Sequence, residues 1–434
     1  MTTPTPRPAE PAAPAKETIE TKTTHLVEAM SEGKFGIADD MFDETMLAAL
    51  GPDKLEVAWR SVEKSAGKFE AIDSIEITEK DAHSIALAKT KFERARLVVR
   101  VVYDKDGKVA GLFFQPLAAE IPWSAPAYAD ASRFEEREVE VGSAPALPGT
   151  ATLPRGSGPF PAVVLVHGSG PNDRDETVGG AKPFKDLAWG LASKGIAVLR
   201  YVKRSRHSPS GIVTQKEEVL DGVRDAVARL RDTPEVDKRR IVVLGHSQGG
   251  YLAPRIGVAH PELAGIVILA GSTRPLEDSM IEQLTYLGSL DSKNEGLKSA
   301  LEAARVFKKK VTSPTLTATD TIDLPTGGSV TGAYFLDVRG YEPPAVAKKL
   351  TLPLLVLQGE RDYQVTTRDF EGWKSALASK KTVTLRTYPS LNHLFISGSG
   401  TPSPAEYGKE GHVDEKVIGD IAAWVNALAP AAGK

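Results

Sequence analysis

Apolar positions recur with two different periods along this chain, and the change of period divides it. From residue 21 they follow a helical spacing: Leu26, Val27 and Met30, then Met41, Met46 and Leu47, then Leu55, Trp59 and Val62. The spacing then shortens to strand-like stretches at 71–78, 83–87, 96–103 and 109–114, with Lys105, Asp106 and Gly107 as a turn between the last two. Helices followed by an antiparallel meander predict a small α+β domain over 21–116. Residues 1–20, rich in Pro, Ala and Thr, read as a disordered tether, and 117–132, rich in Pro and Ala, as a linker.

From 133 to 434 the rhythm is different. Short apolar runs at 162–167, 197–201, 241–245 and 265–270 alternate with amphipathic stretches at 182–194, 216–231 and 248–260. Such alternation predicts an α/β fold, a mostly parallel sheet covered on both faces. Between 272 and 344 helical segments at 277–290 and 294–310 interrupt it, and it resumes with 352–358, 368–379, 382–388 and 413–428. An insertion that begins just after a strand's carboxyl end lies over the edge where such sheets bind ligands. The run Lys308–Lys310 reads as a solvated helix end.

Composition narrows the function classes. A chain of 434 residues holds two or three domains. Its 54 Lys and Arg against 57 Asp and Glu, interspersed, leave a net charge of −3 and no footprint for nucleic acid. No apolar run approaches the ~20 residues of a membrane span. Cysteine is absent, which excludes disulfides, cysteine nucleophiles and thiolate metal sites. The compartment stays open: cytoplasm, or export with the signal already removed. With no H-E-x-x-H and no clustered histidine pair, no metal or other cofactor is expected.

The strongest chemical signal is Gly245-His246-Ser247-Gln248-Gly249, directly between an expected strand and an expected helix. In G-x-S-x-G the serine occupies a tight strand-to-helix turn, and the next residue's N–H can donate to an oxyanion. A serine needs a base and an acid, which in this fold class follow it in the order acid, then histidine, at strand carboxyl ends. Of the histidines after Ser247, His260 lies too far along the same helix and His412 begins the last helix as a surface or capping residue. His393, after the strand at 382–388, is the expected base. Gly359-Glu360-Arg361-Asp362 follows the preceding strand, and Asp362 is the expected acid, with Glu360 as its alternative. The oxyanion donors expected are the backbone N–H groups of Gln248 and of Ser169, in the loop His167-Gly168-Ser169-Gly170. His167 reads as a structural histidine, His246 as packing beside the turn, and Asp173 and Asp175 as turn residues or partners of Arg174. Tyr251, Tyr334 and Phe335 are candidates to line the substrate pocket.

From 133 to the end, these features resemble the α/β-hydrolase superfamily. The loop from His167 to Glu176 and the tail around Ser403-Pro404-Ala405-Glu406-Tyr407 are similar to a bacterial serine esterase subfamily in which a small domain of unknown function precedes the hydrolase. Phe42-Asp43-Glu44-Thr45-Met46 and Ala66-Gly67-Lys68-Phe69 look like that small domain, expected to be NTF2-like or cystatin-like. The resemblance implies hydrolysis of a small-molecule carboxylic ester with Ser247, Asp362 and His393 as triad, and 272–344 as a helical cap. Such enzymes often read Asp-Lys-Arg-Gly where this chain has Val202-Lys203-Arg204-Ser205, which removes any carboxylate role there. The alternatives are a serine peptidase of the same superfamily, for which no Glu-Glu pair stands out in the insertion to hold an ammonium, and a non-catalytic binding protein on the same fold. NTF2-like and cystatin-like sheets often pair through an exposed face, so the front domain is expected to form a homodimer and to supply no catalytic group.

Overall fold

The computed structural model describes residues 17–80, 83–116, 122–209, 211–324 and 329–431. The chain divides into two compact units, Met1–Glu120 and Ile121–Lys434. Of the stretch expected as a tether, 1–16 lies outside the described residues, and a helix has already begun at Ile19, where the Thr18 hydroxyl caps the N–H of Thr21.

In the front unit, helices Ile19–Ser31 and Pro52–Ala66, with shorter turns between them, precede strands β1 (Phe69–Lys80), β2 (His83–Phe92), β3 (Arg96–Tyr103) and β4 (Val109–Pro116). The strands form an antiparallel sheet in the order β1-β2-β3-β4. On β3, Leu97, Val99, Val101 and Tyr103 are buried while their neighbours are not, so a single face is covered. Leu26, Val27, Met30, Leu55 and Trp59 pack in that core, with Met41, Met46, Leu47 and Val62 at its margin. The turn from β3 to β4 is held by Asp104, whose carboxylate accepts from the N–H groups of Asp106 and Lys108, and Gly107 takes φ 71°.

The second unit is built on eight strands: β5 (Phe134–Val141), β6 (Leu147–Pro154), β7 (Phe160–Val166), β8 (Ala197–Tyr201), β9 (Val236–His246), β10 (Gly265–Leu269) and, beyond a small hairpin β11 (Thr321–Asp323) and β12 (Ser329–Thr331), β13 (Leu354–Gly359) and β14 (Val383–Tyr388). Their order is β14-β13-β10-β9-β7-β8-β6-β5, parallel from β14 to β8 and antiparallel at β6 and β5. The central strands read as unbroken apolar runs because both faces are buried: Val164 and Val166 join one core, Val163 and Leu165 the other, and β9, β10 and β13 alternate in the same way. Each such side chain contributes about 1.5–3 kcal/mol of burial.

Two features go beyond the sequence expectations. The stretch read as a linker is divided, because 122–132 packs within the second unit: the Trp123 indole donates to Asp186 and stacks edge-on against Trp189, and the Tyr128 hydroxyl donates to the Val413 carbonyl. The antiparallel pair β5–β6 was not anticipated. The insertion contains helices Leu276–Leu290 and Glu295–Val311, the hairpin and the short helix Gly332–Leu336, around a small core of Phe307, Val311, Leu316, Ile322 and Phe335. The next helix, Pro343–Lys349, buries Ala347 in the main core and belongs to the sheet's own cover. Among the described residues, no helix is long and apolar enough to cross a membrane.

Candidate active site

Ser247 stands between the end of β9 and the helix Gln248–Ala259 with φ 52° and ψ −109°, a backbone conformation that side-chain-bearing residues rarely adopt. The turn is clamped from three sides: Ser247 N–H donates to Leu269 O at 2.9 Å, Gly249 N–H to His167 O at 3.0 Å, and Tyr251 N–H to Ser247 O at 2.8 Å. The two glycines of the motif are demanded by close approach. A Cβ on Gly245 would sit 2.2 Å from Gly249 O, and one on Gly249 would sit 2.3 Å from Val166 O. Any side chain there would force the serine out of its place.

His393 and Asp362, 31 residues apart in the chain, meet beside this turn: His393 Nδ1–H donates to Asp362 Oδ2 at 2.6 Å, both groups buried. Asp362 also accepts from the N–H groups of Gln364 and Val365, at 2.8 and 2.9 Å, and from the Gln358 side chain at 3.2 Å. These contacts fix the carboxylate in one rotamer and the imidazole in one tautomer, with Nε2 left to accept a proton. The histidine's own loop is shaped by Asn392, whose carbonyl oxygen accepts from the N–H groups of Leu394 and Ile396. Among the described residues, no hydrogen bond joins the Ser247 hydroxyl to His393, and both side chains line one cavity of about 1140 Å³. Glu360, the alternative acid, instead accepts from Thr387 on the surface.

Ser169 and Gln248 line the same cavity, and neither backbone N–H donates to a protein acceptor among the described residues. Tyr251 and Phe335 are in its wall, whereas Tyr334 is not: its hydroxyl turns to Glu218 and accepts from the Gln248 side chain. From the insertion, Leu276, Met280 and Val311 add an apolar surface, and Pro404 and Tyr407 of the tail close another side. Among the described residues, no group of three or more His, Asp or Glu is placed to hold a metal ion.

His246, expected as packing, is engaged through both ring nitrogens. Nε2–H donates to His393 O at 3.0 Å, and Nδ1 lies 2.9 Å from Glu176 Oε2, off the line of a hydrogen bond but in close ionic contact. Burial pushes the His246 imidazole down, but Glu176 outweighs it and the net shift is upward; burial pushes the Glu176 carboxyl up, but His246 outweighs it and the net shift is downward. Glu176 Oε1 in turn accepts from Gly168 N–H at 2.5 Å, so this buried pair ties the loop before Ser169 to the backbone of His393. Glu176 had no sequence signal beyond its place in that loop.

His167 donates through Nε2 to Asp173 O at 2.9 Å and packs on Phe184 and Tyr201; burial pushes it down to about 4, so it is neutral at physiological pH. Asp173 makes turn hydrogen bonds to the N–H groups of Asp175 and Thr177. Asp175 does not pair with Arg174: it binds Arg200 at 2.8 Å, while Arg174 reaches Glu138. His412 contacts Asp186 at 3.2 Å and takes no part in the site.

A doubly covered sheet with a strained serine turn on its central strand defines an α/β hydrolase. The sequence agrees: residues 163–406 match the alpha/beta hydrolase family, and the chain belongs to it. Residues 24–112 match a protein family of unknown function, DUF3887. The chain is 40% identical over 406 residues to Esterase EstD of Thermotoga maritima, covering 92% of this chain and 93% of that one. Among solved structures it is similar to Est1E from Butyrivibrio proteoclasticus (14% identity, 67% of this chain and 99% of that one, TM-score 0.45). It is also similar to the Pyrococcus furiosus esterase PF2001 (14% identity, 72% and 98%, TM-score 0.45). The protein is a hydrolytic enzyme.

Proposed function

We propose that the protein is a serine carboxylesterase acting through an acyl-enzyme. Ser247 Oγ attacks the ester carbonyl while His393 Nε2 takes its proton. The oxyanion that forms accepts from the N–H groups of Ser169 and Gln248, and the imidazolium is stabilised by Asp362, which does not itself take the proton. His393 then protonates the leaving alcohol, and water repeats the cycle on the acyl-enzyme. The observation that carries this reading is the convergence on one cavity of a strained serine, two unpaired backbone donors and a histidine locked by a buried carboxylate. The mostly apolar wall suits an acyl chain or an apolar alcohol.

A second reading, an aminopeptidase-type serine peptidase, has one observation in its favour. Glu277 of the insertion and Glu342 both line the cavity, and burial holds the Glu277 carboxyl above its usual range. A panel of p-nitrophenyl esters of increasing acyl length, run beside aminoacyl anilides, separates the two. Ester turnover with anilides untouched is expected, together with labelling of Ser247 by a fluorophosphonate, located by peptide mass. Anilide turnover exceeding ester turnover would favour the peptidase, and a label elsewhere would overturn the nucleophile.

A further inference from the structure

Below the two oxyanion donors lies a closed ring of polar side chains that the reaction as described does not use. Lys203, only 3% exposed, directs its ammonium to three acceptors: Gly168 O at 2.8 Å, Gln248 Oε1 at 2.8 Å and Glu218 Oε1 at 3.2 Å. The first two are hydrogen bonds and the third an ion pair, so the buried cation is partnered throughout. Gln248 passes the chain on, its Nε2 donating to the Tyr334 hydroxyl at 3.0 Å, and that hydroxyl donates to the second oxygen of Glu218. The ring therefore runs Lys203, Gln248, Tyr334, Glu218 and back to Lys203, with every donor and acceptor in a consistent sense.

Two of its contacts bear directly on the oxyanion site. Gly168 C=O belongs to the same peptide group as Ser169 N–H, and in a trans peptide the two point in opposite directions. An ammonium on the oxygen therefore holds the N–H aimed the other way, and polarises the group so that the N–H becomes a stronger donor. Asn172 donates to the same oxygen at 3.0 Å, and Glu176 accepts from the preceding N–H, so this strand of backbone cannot rotate without breaking all three. The second contact seizes the side chain of Gln248, whose own N–H is the other donor. Glu218 is presented by a π-helical turn, Lys216–Leu220, that opens the helix Asp221–Arg231; such turns are uncommon and concentrate at functional sites. A buried lysine and glutamate are costly to keep unless their geometry is used.

We propose that Lys203 is a positioning residue for the oxyanion hole: one buried cation orients and polarises the Ser169 donor through Gly168 O and holds the side chain of Gln248, the residue of the second donor, and Tyr334 of the insertion closes the ring that holds it. This rests on the reading of Ser247 as nucleophile, and the test separates the two. Full-length wild type, Lys203→Met, Lys203→Arg, Tyr334→Phe and the charge-balanced Lys203→Met/Glu218→Gln are assayed for kcat and KM on one p-nitrophenyl ester. They are also assayed for inhibition by a trifluoromethyl ketone, which forms an anionic tetrahedral adduct, and for fluorophosphonate labelling of Ser247. Loss of one direct oxyanion donor costs about 10²–10³ in kcat, and loss of the group that positions the donors is expected to cost about 10- to 100-fold, with KM within threefold of wild type. Ketone affinity should fall by the same factor as kcat, and Lys203→Arg should recover part of both. Tyr334→Phe, which removes no charge, should lower kcat about threefold or more. Where Lys203→Met does not fold, the double variant carries the same expectation. Unchanged kcat in folded Lys203→Met, in the double variant or in Tyr334→Phe overturns the proposal, as does a change confined to KM. Failure to label wild-type Ser247 overturns the nucleophile instead.

Discussion

The two units of the chain use polar residues in opposite ways. In the front unit, the charged pairs that cross between strands, Lys89 with Glu76, Lys91 with Glu70 and Arg96 with Asp73, lie on the open face of the sheet. Its buried polar groups among the described residues are uncharged: the hydroxyls of Thr23, bonded to Tyr103, and Thr90, bonded to Leu97 O, and the indole N–H of Trp59. In the hydrolase unit, by contrast, His167, Glu176, Lys203, Glu218, His246, Asp362 and His393 are all buried, and all lie in or beside the loops at the carboxyl ends of the parallel strands. Surface pairs contribute about 0–1 kcal/mol, whereas a buried charge deprived of its partner costs about 3–5 kcal/mol. The contrast marks the edge of the sheet on which the proposed site lies.

The comparison can be broken most severely at the nucleophile. Ser247→Ala should lower kcat on a reactive ester by about 10⁵- to 10⁶-fold, and more than a few per cent of residual turnover in purified protein would overturn the assignment. Next, Asp362→Asn should keep the fold and lower kcat by up to about 10⁴ by releasing the wrong imidazole tautomer, while Glu360→Gln stays within about twofold of wild type. The reverse ranking would move the acid to the surface loop.

A third test sharpens the boundary between the two units. A chain beginning at residue 122 should keep kcat close to that of the full protein. One beginning at 133 loses the Trp123 and Tyr128 contacts on Asp186, Trp189 and Val413, which should cost about 3 kcal/mol and lower Tm by several degrees. Equal Tm for the two fragments would return 122–132 to the status of a linker. A fourth concerns His167, whose folded value of about 4 lies below the ordinary 6.5. The unfolded chain therefore binds the extra proton first, and stability falls as pH drops from about 6.5 to about 4, by about 3 kcal/mol in total. Denaturant unfolding of His167→Gln at pH 7.5 and 5.0 should show a smaller loss than wild type across that interval; parallel losses would refute the assignment. The smallest effect belongs to the front sheet: Lys91→Ala should change stability by less than about 1 kcal/mol and leave kcat unaltered, read by the same unfolding and ester assays.

The sequence by itself determined what depends on neighbours a few residues away. The spacing of Leu26, Val27 and Met30 and the apolar run of β7 set which surfaces must be buried. The glycines around Ser247 were legible because only residues lacking Cβ permit that turn: an added methyl would collide with Gly249 O on one side and Val166 O on the other. The order of Ser247, Asp362 and His393 along alternating strands was legible because a parallel sheet brings successive carboxyl ends to one edge. The tertiary structure alone decided which polar groups meet. Nothing in the local sequence pairs Glu176 with His246, directs Asp175 to Arg200 and not to its neighbour Arg174, or turns Tyr334 from the cavity wall to Glu218. Asp175 and Arg200 lie 25 residues apart in the chain, and Tyr334 and Glu218 lie 116 apart. Charge pairing at such range is set by which chain segments cross and how far water is excluded around them, and both are properties of the folded packing that no run of neighbouring residues encodes.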